Sequence, residues 1–399
     1  MGIFEMMRKQ PTRQPVKKQQ TPKQTAKQAP RRAFKLPELD GNITRHKFWG
    51  SVDVSDDAIA IGRVFKSYGI DFNIVKHTQG PTLTQYTITL PDFKNYEKVT
   101  RMEKAFRAAL NKDGVTISQN GAYINIQVPC FLDTLWLGDI LNDDHYKTSN
   151  KLTVAIGRAI DGSNILADIE DLKHILVAGA SGSGKSVFMQ GLILSLLSRH
   201  TPDEIELYMV DPKMVEFSFY RPLKHCHVVT ETYDAINLLW NLTGIMDERY
   251  RQLAAAGVRD IEGYNAKYPD RKMRRIVLFI DELADLMKTS RKQAEDSIVR
   301  IAQKARACGI HLIIATQYPK AEVVTGLIKS NIPTKVCFAV TSPIASCVML
   351  GRGGAEKLIG KGDMLYQTEK DINPVRLQAG FVTENEINNI VYALFQNQN

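Results

Sequence analysis

The chain has 399 residues, more than the roughly 250–300 at which a single hydrophobic core stops growing, so we predict at least two folded units. Hydrophobic residues make up 44% and charged residues 24% of the sequence, as in ordinary soluble proteins. No apolar run reaches the about 18 residues that a membrane-spanning helix needs, and no signal-peptide core follows residues 1–7. We therefore expect a cytoplasmic protein with no integral membrane segment.

Net charge and cysteine content further limit the class of protein. The net charge is +9, of which residues 1–40 supply +7 because they hold ten Lys and Arg against three Asp and Glu. The rest of the chain is nearly neutral, so bulk charge is weak support for nucleic-acid binding by a folded surface. The cysteines are odd in number and lack a C-x-x-C pair, which predicts buried, reduced thiols. They are Cys130, Cys226, Cys308, Cys337 and Cys347.

Residues 1–40 are rich in Gln, Lys and Pro and have almost no apolar periodicity. Such a segment buries too little apolar surface to offset the entropy lost on ordering, and we predict a disordered basic arm. Its charge suits phosphate contacts without sequence preference, or a tether to a membrane or replication partner. A solvated linker explains the same composition equally well.

Two patterns of secondary structure follow the arm. Residues 41–150 carry short mixed elements that predict a small α+β domain, with helices at 56–68 and near 96–110 and strands at 83–90 and 122–128. Residues 151–395 alternate strands with helices, which favours an α/β domain with a mostly parallel sheet. The predicted strands there are 174–178, 205–210, 275–280, 311–315 and 334–340, and the predicted helices are 187–200, 235–255 and 291–308.

The segment 179–186 reads G-A-S-G-S-G-K-S and fits the P-loop pattern G-x-x-x-x-G-K-[ST]. An apolar strand precedes it and an apolar helix follows it, which is the context a P-loop requires. In this motif backbone N–H groups surround nucleotide phosphates, the lysine neutralises their charge, and the hydroxyl ligates Mg²⁺. We therefore predict ATP and Mg²⁺ as cofactors. The predicted nucleotide-binding residues are Gly179, Ala180, Ser181, Gly182, Ser183, Gly184, Lys185, Ser186 and Val187.

Polar residues also follow three other predicted strands. The apolar run 276–280 ends in Asp281 and Glu282. Because the carboxyl ends of parallel strands meet at one edge of a sheet, we predict that Asp281 holds Mg²⁺ through water and that Glu282 orients the attacking water. The run 311–315 leads to Gln317, predicted to sense the γ-phosphate or position water. The strand 205–210 ends in D-P-K, for which a crevice role and a turn stay open.

Hydrolysis in P-loop motors often needs an arginine that stabilises charge on the γ-phosphate. Arg306, near the end of the predicted helix 291–308, is our candidate. A surface arginine that complements the helix dipole accounts for it equally well. Arg352, Lys361 and Arg376 are rival candidates.

Together the motifs resemble one known family. The segments H-I-L-V-A-G-A-S-G-S-G-K-S, V-D-P-K, V-L-F-I-D-E-L-A-D-L-M, Q-K-A-R-A-C-G-I-H-L-I-I-A-T-Q and G-D-M-L-Y look like the motor region of the FtsK/SpoIIIE DNA translocases. The resemblance covers about residues 45–395, including S-Y-G-I and Q-G-P-T-L-T-Q-Y in the smaller domain. It implies a RecA-like P-loop core preceded by an α+β subdomain, assembled as a hexameric ring that threads double-stranded DNA. In such a ring Arg306 would act on the neighbouring subunit's nucleotide.

Some features depart from the family pattern. Cell-division members carry a membrane-spanning region and a C-terminal winged-helix module that reads DNA sequence, and we expect a motor without either. Tyr318 stands where an arginine is usual, and residues 342–350 lack the usual charged residues, so contacts there are altered. A coupling ATPase for conjugation or protein secretion is the alternative function, because such motors share this core. A nucleotide-binding scaffold is disfavoured because Lys185, Asp281 and Glu282 are intact.

Overall fold

The computed structural model of the chain describes residue 43, residues 55–130 and residues 133–398. The basic arm predicted for residues 1–40 lies outside the described residues. The smaller unit is a four-stranded antiparallel sheet with strand order β1-β2-β4-β3 and three helices. Its elements are α1 (Ser55–Ser67), β1 (Asn73–Gln79), β2 (Leu83–Thr89), α2 (Tyr96–Thr100), α3 (Glu103–Leu110), β3 (Thr116–Asn120) and β4 (Tyr123–Pro129).

The predicted elements of this unit are largely present. The single helix predicted near 96–110 is instead two helices, because the Thr100 hydroxyl donates to the Glu97 carbonyl oxygen (2.8 Å) and the buried Met102 intervenes before α3. Strands β1 and β3 were not predicted. Most of their side chains are exposed or only partly buried, so the sequence carries no apolar alternation there.

The larger unit is a ten-stranded sheet with strand order β6-β5-β14-β13-β12-β7-β11-β10-β8-β9. The six strands from β12 to β9 are parallel, as predicted, and the other four pair antiparallel. Its strands are β5 (Thr153–Ala159), β6 (Asn164–Asp168), β7 (Ile175–Ala178), β8 (Ile205–Val210), β9 (Cys226–Val229), β10 (Arg275–Ile280), β11 (Ile310–Thr316), β12 (Thr334–Phe338), β13 (Asp363–Gln367) and β14 (Val375–Gln378). Its helices are α4 (Leu137–Leu141), α5 (Asp144–Thr148), α6 (Ile169–Leu172), α7 (Lys185–Leu197), α8 (Thr232–Ala256), α9 (Ile261–Lys267), α10 (Leu283–Lys304), α11 (Gly326–Asn331), α12 (Pro343–Leu350) and α13 (Glu384–Gln398).

Helices cover both faces of the parallel strands, which explains their unbroken apolar runs. In β10, Val277 and Phe279 pack on the face shared with α7 and α13, while Leu278 and Ile280 pack on the face shared with α8 and α10. Helices α4 and α5 also pack in the first of these cores, although they precede residue 150. The division of the chain at residue 150 therefore stays a prediction.

Two details differ from the sequence expectations. Helix α10 begins at Leu283 rather than at 291, but Ser290 has non-helical backbone angles (φ −155°, ψ 80°) and separates a short first segment from the predicted helix. All five cysteines are free thiols and four are buried, whereas Cys347 is exposed. Its predicted burial was wrong, because it lies on the outer face of the short helix α12.

A buried ion pair within the larger sheet also makes a hydrogen bond to the smaller unit. The Arg376 guanidinium donates to both carboxylate oxygens of Asp363 (2.9 and 2.6 Å), and both side chains are less than 5% exposed. Its remaining amino group donates to the Thr116 hydroxyl on β3 (2.9 Å). A second pair, Lys357 with Glu103 (2.6 Å), joins the same two units nearer the surface.

We predict that Arg376→Met lowers the free energy of unfolding by about 3–5 kcal/mol, because it leaves a buried carboxylate without its cation. Urea denaturation followed by circular dichroism measures the change. Arg352→Met is the control: Arg352 is exposed and its guanidinium hydrogen-bonds with the nearby Ile372 and Asn373, so we expect less than about 1 kcal/mol. Equal losses in the two variants would contradict the role given to the buried pair.

Candidate active site

The P-loop lies between β7 and α7, at the carboxyl edge of the parallel strands. Gly179 N donates to Thr316 O and Ala180 N to Ala339 O (3.3 and 2.9 Å), which ties the loop to the ends of the neighbouring chain segments. Gly184 has φ +109°, and a Cβ there would lie 2.5 Å from the amide nitrogen of Gly362. Only glycine fits this position, so the loop can curl tightly before the helix begins.

A cavity of about 670 Å³ opens beside the loop and is large enough for a nucleotide. The amino terminus of the 13-residue helix α7 borders it, which favours phosphate binding because unpaired N–H groups and the helix dipole attract anions. Of the nine predicted nucleotide-binding residues, seven line the cavity, whereas Gly179 and Ser183 do not. The seven are Ala180, Ser181, Gly182, Gly184, Lys185, Ser186 and Val187.

Lys185 and Asp281 form a buried pair at the floor of the site. Lys185 Nζ lies 2.6 Å from Asp281 Oδ1 and 3.1 Å from the Asp281 carbonyl oxygen, and both side chains are about 3% exposed or less. The contact spans 96 residues of sequence and joins the P-loop to the end of β10. Phosphates that enter the cavity would compete with Asp281 for the ammonium group.

The neighbouring carboxylates fit a divalent cation. Asp281 Oδ2 and Asp211 Oδ1 are buried without a hydrogen-bond partner among the described residues. Asp211 and Asp281 follow residues that are paired in adjacent strands, so their side chains begin at the same edge. The described chain contains no group of three or more His, Cys, Asp or Glu that could hold a metal alone. A cation here would take phosphate oxygens and water as further ligands, as Mg²⁺ does with nucleotides.

Ser186, the predicted metal ligand, already has a partner. Its hydroxyl donates to Glu216 Oε1 (2.7 Å), a carboxylate on the loop after β8 that the sequence analysis missed. Burial raises the pKa of the Glu216 carboxyl group, the charges of Asp281 and Asp211 act in the same direction, and the hydrogen bond from Ser186 opposes them. No periodic pattern marks this loop residue, so only the D-P-K strand end drew attention to the segment.

Glu282 is withdrawn from the cavity in this structure. Its side chain is 1% exposed, Oε1 accepts from the Thr316 hydroxyl (2.6 Å) and from Ala284 N (3.2 Å), and Oε2 accepts from Gln317 N (3.0 Å). To orient a water on a nucleotide, Glu282 must release at least one of these donors. Gln317 is partly buried and lines the cavity, one residue from the Thr316 hydroxyl.

Arg306 lies far from these residues within the same chain. It precedes β11 and so lies at the amino edge of the sheet, where its side chain is about half exposed. Its Nε donates to the Glu170 carbonyl oxygen (2.9 Å), and its guanidinium lies 3.7 Å from Asp171. A role on its own P-loop is therefore excluded by position. The role on another subunit's nucleotide and the role as a surface arginine both stay open.

The rival cations occupy different places. Arg376 is buried against Asp363 and cannot reach a second subunit. Lys361 lines the same cavity as its own P-loop, in a backbone conformation with φ +52°. Arg352 is exposed and bonds to the side chain of Asn373.

The far side of the cavity is built from residues that the sequence analysis did not assign. A hydrogen-bonded chain holds it together, since Thr82 donates to Gln378 Oε1 (3.1 Å) and Gln378 donates to the Lys361 carbonyl oxygen (2.8 Å). The apolar part contains Leu135 and Phe381, whose ring packs edge-on against Trp136. These residues come from distant parts of the chain. Thr82 lies in the segment Q-G-P-T and Gly362 begins the segment G-D-M-L, but the sequence analysis used both segments only for the family resemblance.

Comparison with known sequences identifies the family. The profile of the FtsK/SpoIIIE family matches residues 137–321, and that of the FtsK alpha domain matches residues 39–130. The chain belongs to the FtsK/SpoIIIE family. It carries the P-loop ATPase core of that family, and no helix of the described ranges is both long enough and apolar enough to cross a membrane.

Relatives and solved structures agree with this assignment. The DNA translocase FtsK of Bacillus cereus is 37% identical over 384 residues, which cover 90% of this chain and 48% of that protein. The chain thus spans about half the length of the curated FtsK relatives it matches. The structure of the conjugation coupling protein TcpA of pCW3 in its monomer form with ATPγS has 26% identity and a TM-score of 0.60, covering 84% of this chain and 99% of that one. The type VII secretion ATPase EccC of Thermomonospora curvata has 22% identity and a TM-score of 0.56, covering 66% of this chain and 34% of that one, and it shares the fold.

The contact between Thr316 and Glu282 gives a stability prediction. Thr316→Val should cost about 1.5–3 kcal/mol of unfolding free energy, because a buried carboxylate loses a hydroxyl donor. Thr334→Val is a matched control, since Thr334 is an equally buried strand residue whose hydroxyl donates to a neutral carbonyl oxygen (3.0 Å). We expect about 0.5–1.5 kcal/mol for the control by urea denaturation. A smaller loss at Thr316 than at Thr334 would show that the carboxylate does not depend on this hydroxyl.

Proposed function

We propose that the chain is an ATP-driven motor that moves double-stranded DNA. The observation that carries this proposal is the meeting of Lys185, Asp281 and Gln317 at one sheet edge beside a nucleotide-sized cavity, in a member of the FtsK/SpoIIIE family. We place the motor in the cytoplasm, and contacts to the DNA phosphates would give it little sequence preference. Partner binding by residues 1–40 stays a prediction.

The residues of the site take separate roles in this proposal. Backbone N–H groups of the P-loop and the Lys185 ammonium bind the phosphates, while Asp281 and Ser186 hold Mg²⁺. The cation would neutralise charge on the phosphate oxygens. Glu282 leaves Thr316 and orients water for in-line attack, and Gln317 couples that release to the presence of the γ-phosphate, because its own N–H donates to Glu282.

The proposed assembly is a hexameric ring in which Arg306 serves the neighbouring subunit. Two features support this role: Arg306 lies at the opposite edge of the sheet from its own P-loop, and it is half exposed. In a head-to-tail ring one subunit's amino edge can face the next subunit's carboxyl edge. Its tie to Glu170 holds the guanidinium in place before a neighbour arrives.

Mixing inactive variants tests the arginine. Lys185→Ala and Arg306→Ala should each lower ATP turnover by about 10³-fold or more. Mixed before assembly, they should recover measurable turnover, because some interfaces then combine an intact P-loop with an intact arginine. Lys185→Ala mixed with Glu282→Gln is the control, since both defects affect the same edge of one chain and no recovery is expected. Absence of recovery in the first mixture would rule out Arg306 as a trans-acting residue.

A coupling ATPase for conjugation or secretion is the second candidate. It is favoured by the similarity to TcpA, which extends over 99% of that chain and includes the smaller unit. The two candidates share the nucleotide chemistry and differ in what is moved and where the motor is docked. A free motor displaces obstacles from naked duplex DNA by itself, whereas a coupling protein depends on a membrane-bound or secretion partner.

Displacement of a roadblock from linear duplex DNA tests the translocation claim. The wild-type protein with ATP should remove a protein bound near one end of the duplex, because a translocating ring pushes obstacles ahead of it. Glu282→Gln should bind DNA and ATP but leave the obstacle in place, since hydrolysis would fall by about 100-fold or more. ATP turnover without displacement on any duplex would contradict translocation and favour the coupling function.

A further inference from the structure

Glu216 reaches the predicted metal ligand from outside the P-loop. It lies on the loop that follows β8, and its Oε1 accepts the hydrogen bond from the Ser186 hydroxyl at 2.7 Å. The carboxylate borders the same cavity as the P-loop. It therefore lies beside the hydroxyl that would meet a cation, although no strand-end pattern marks it.

The direction of this hydrogen bond leaves the hydroxyl able to bind a cation. A serine hydroxyl has one proton to donate and two lone pairs that accept. When the Ser186 hydroxyl donates a hydrogen bond to Glu216, both lone pairs of the serine oxygen remain free for a metal ion. The negative charge of the Glu216 carboxylate makes the serine oxygen a better metal ligand. Outer partners of this kind orient metal ligands and tune their affinity.

Three contacts fix Glu216 in this position. Gln190, one helical turn after Ser186 on α7, donates to the Glu216 carbonyl oxygen, and the Tyr220 hydroxyl in turn donates to Gln190. On the other side, Asp211 Oδ2 accepts from Phe217 N at 2.9 Å and closes the loop. The segment that begins with D-P-K is thus both a turn and a wall of the cavity.

The buried carboxylates near Ser186 favour the binding of a cation. Asp211, Asp281 and Glu282 are each no more than 1% exposed, and Lys185 is the one buried lysine among the described residues. Asp211 Oδ1 and Asp281 Oδ2 have no hydrogen-bond partner among the described residues. Buried carboxylates without a partner are costly, and a divalent ion with its bound water would satisfy them.

We propose that Glu216 is a positioning residue for Mg²⁺: through the Ser186 hydroxyl it orients the serine oxygen toward the metal and raises the affinity of the nucleotide complex for it. This inference rests on the proposed binding of ATP and Mg²⁺ and extends it to a residue outside the P-loop. Glu216 does not contact the metal itself. The competing explanation is that its side chain only anchors the loop.

A metal titration separates the two explanations. The probe is a fluorescent ATP analogue, whose binding to the full chain is measured first in EDTA and then across a series of Mg²⁺ concentrations. Glu216→Ala should weaken the apparent Mg²⁺ affinity of the nucleotide complex about tenfold or more, and change nucleotide affinity in EDTA by less than about twofold. Glu216→Gln keeps an oxygen acceptor and should lose less, and Val215→Ala, the exposed neighbour, should match wild type.

The outcomes are distinct. If Glu216→Ala weakens nucleotide binding equally with and without Mg²⁺, or leaves the Mg²⁺ titration unchanged, the proposal is wrong. Should Glu216→Ala fold poorly, Glu216→Gln decides instead: a smaller loss of Mg²⁺ affinity is expected, and an affinity equal to that of wild type would overturn the proposal. The titration needs neither DNA nor turnover. ATP turnover that does not respond to DNA would therefore contradict the proposed function without affecting this result. Wild-type binding that does not respond to Mg²⁺ would overturn both.

Discussion

The buried contact between Lys185 and Asp281 links the two halves of the active site. It joins the first turn of α7 to the end of β10 across one intervening strand, β11, at 2.6 Å and with almost no solvent exposure. An ammonium and a carboxylate removed from water stabilise the protein only if each keeps a partner. The pair therefore joins the two sides of the cavity, and in the proposed function its lysine is the group that phosphates would draw away.

Carboxylates outnumber cations at this edge, and the imbalance explains how the site is arranged. Asp211, Asp281, Glu216 and Glu282 lie at this edge with Lys185 and Lys361, and each carboxylate is restrained by a different neighbour. Glu282 is held by Thr316 and Gln317, Glu216 by Ser186, and Asp211 by the backbone of its own loop. In the proposed function, a nucleotide with its cation would supply positive charge and new acceptors at once, so the same ligand would both fill the cavity and free the restraints.

The sequence predicted the parts of the fold that repeat a simple pattern. Parallel strands buried on both faces read as apolar runs, and polar residues that end such runs must share an edge, so the positions of Asp281 and Gln317 followed from β10 and β11. Strands β1 and β3 were not predicted because their side chains are largely exposed. The contacts of Glu216 with Ser186 and of Thr316 with Glu282 were not predicted, because each joins side chains about 30 residues apart in the sequence. The sequence also showed no sign of the contacts of Arg376, since Thr116, which accepts a hydrogen bond from it, lies on β3 in the smaller unit.

The central claim is that this site hydrolyses ATP in response to double-stranded DNA. The most direct measurement is steady-state ATP turnover by the wild-type chain alone and with duplex DNA, single-stranded DNA or RNA of equal nucleotide content. The account predicts strong stimulation by duplex DNA over both single-stranded polymers, with falling stimulation as salt screens the phosphate contacts. Turnover that is the same with and without duplex DNA would contradict it.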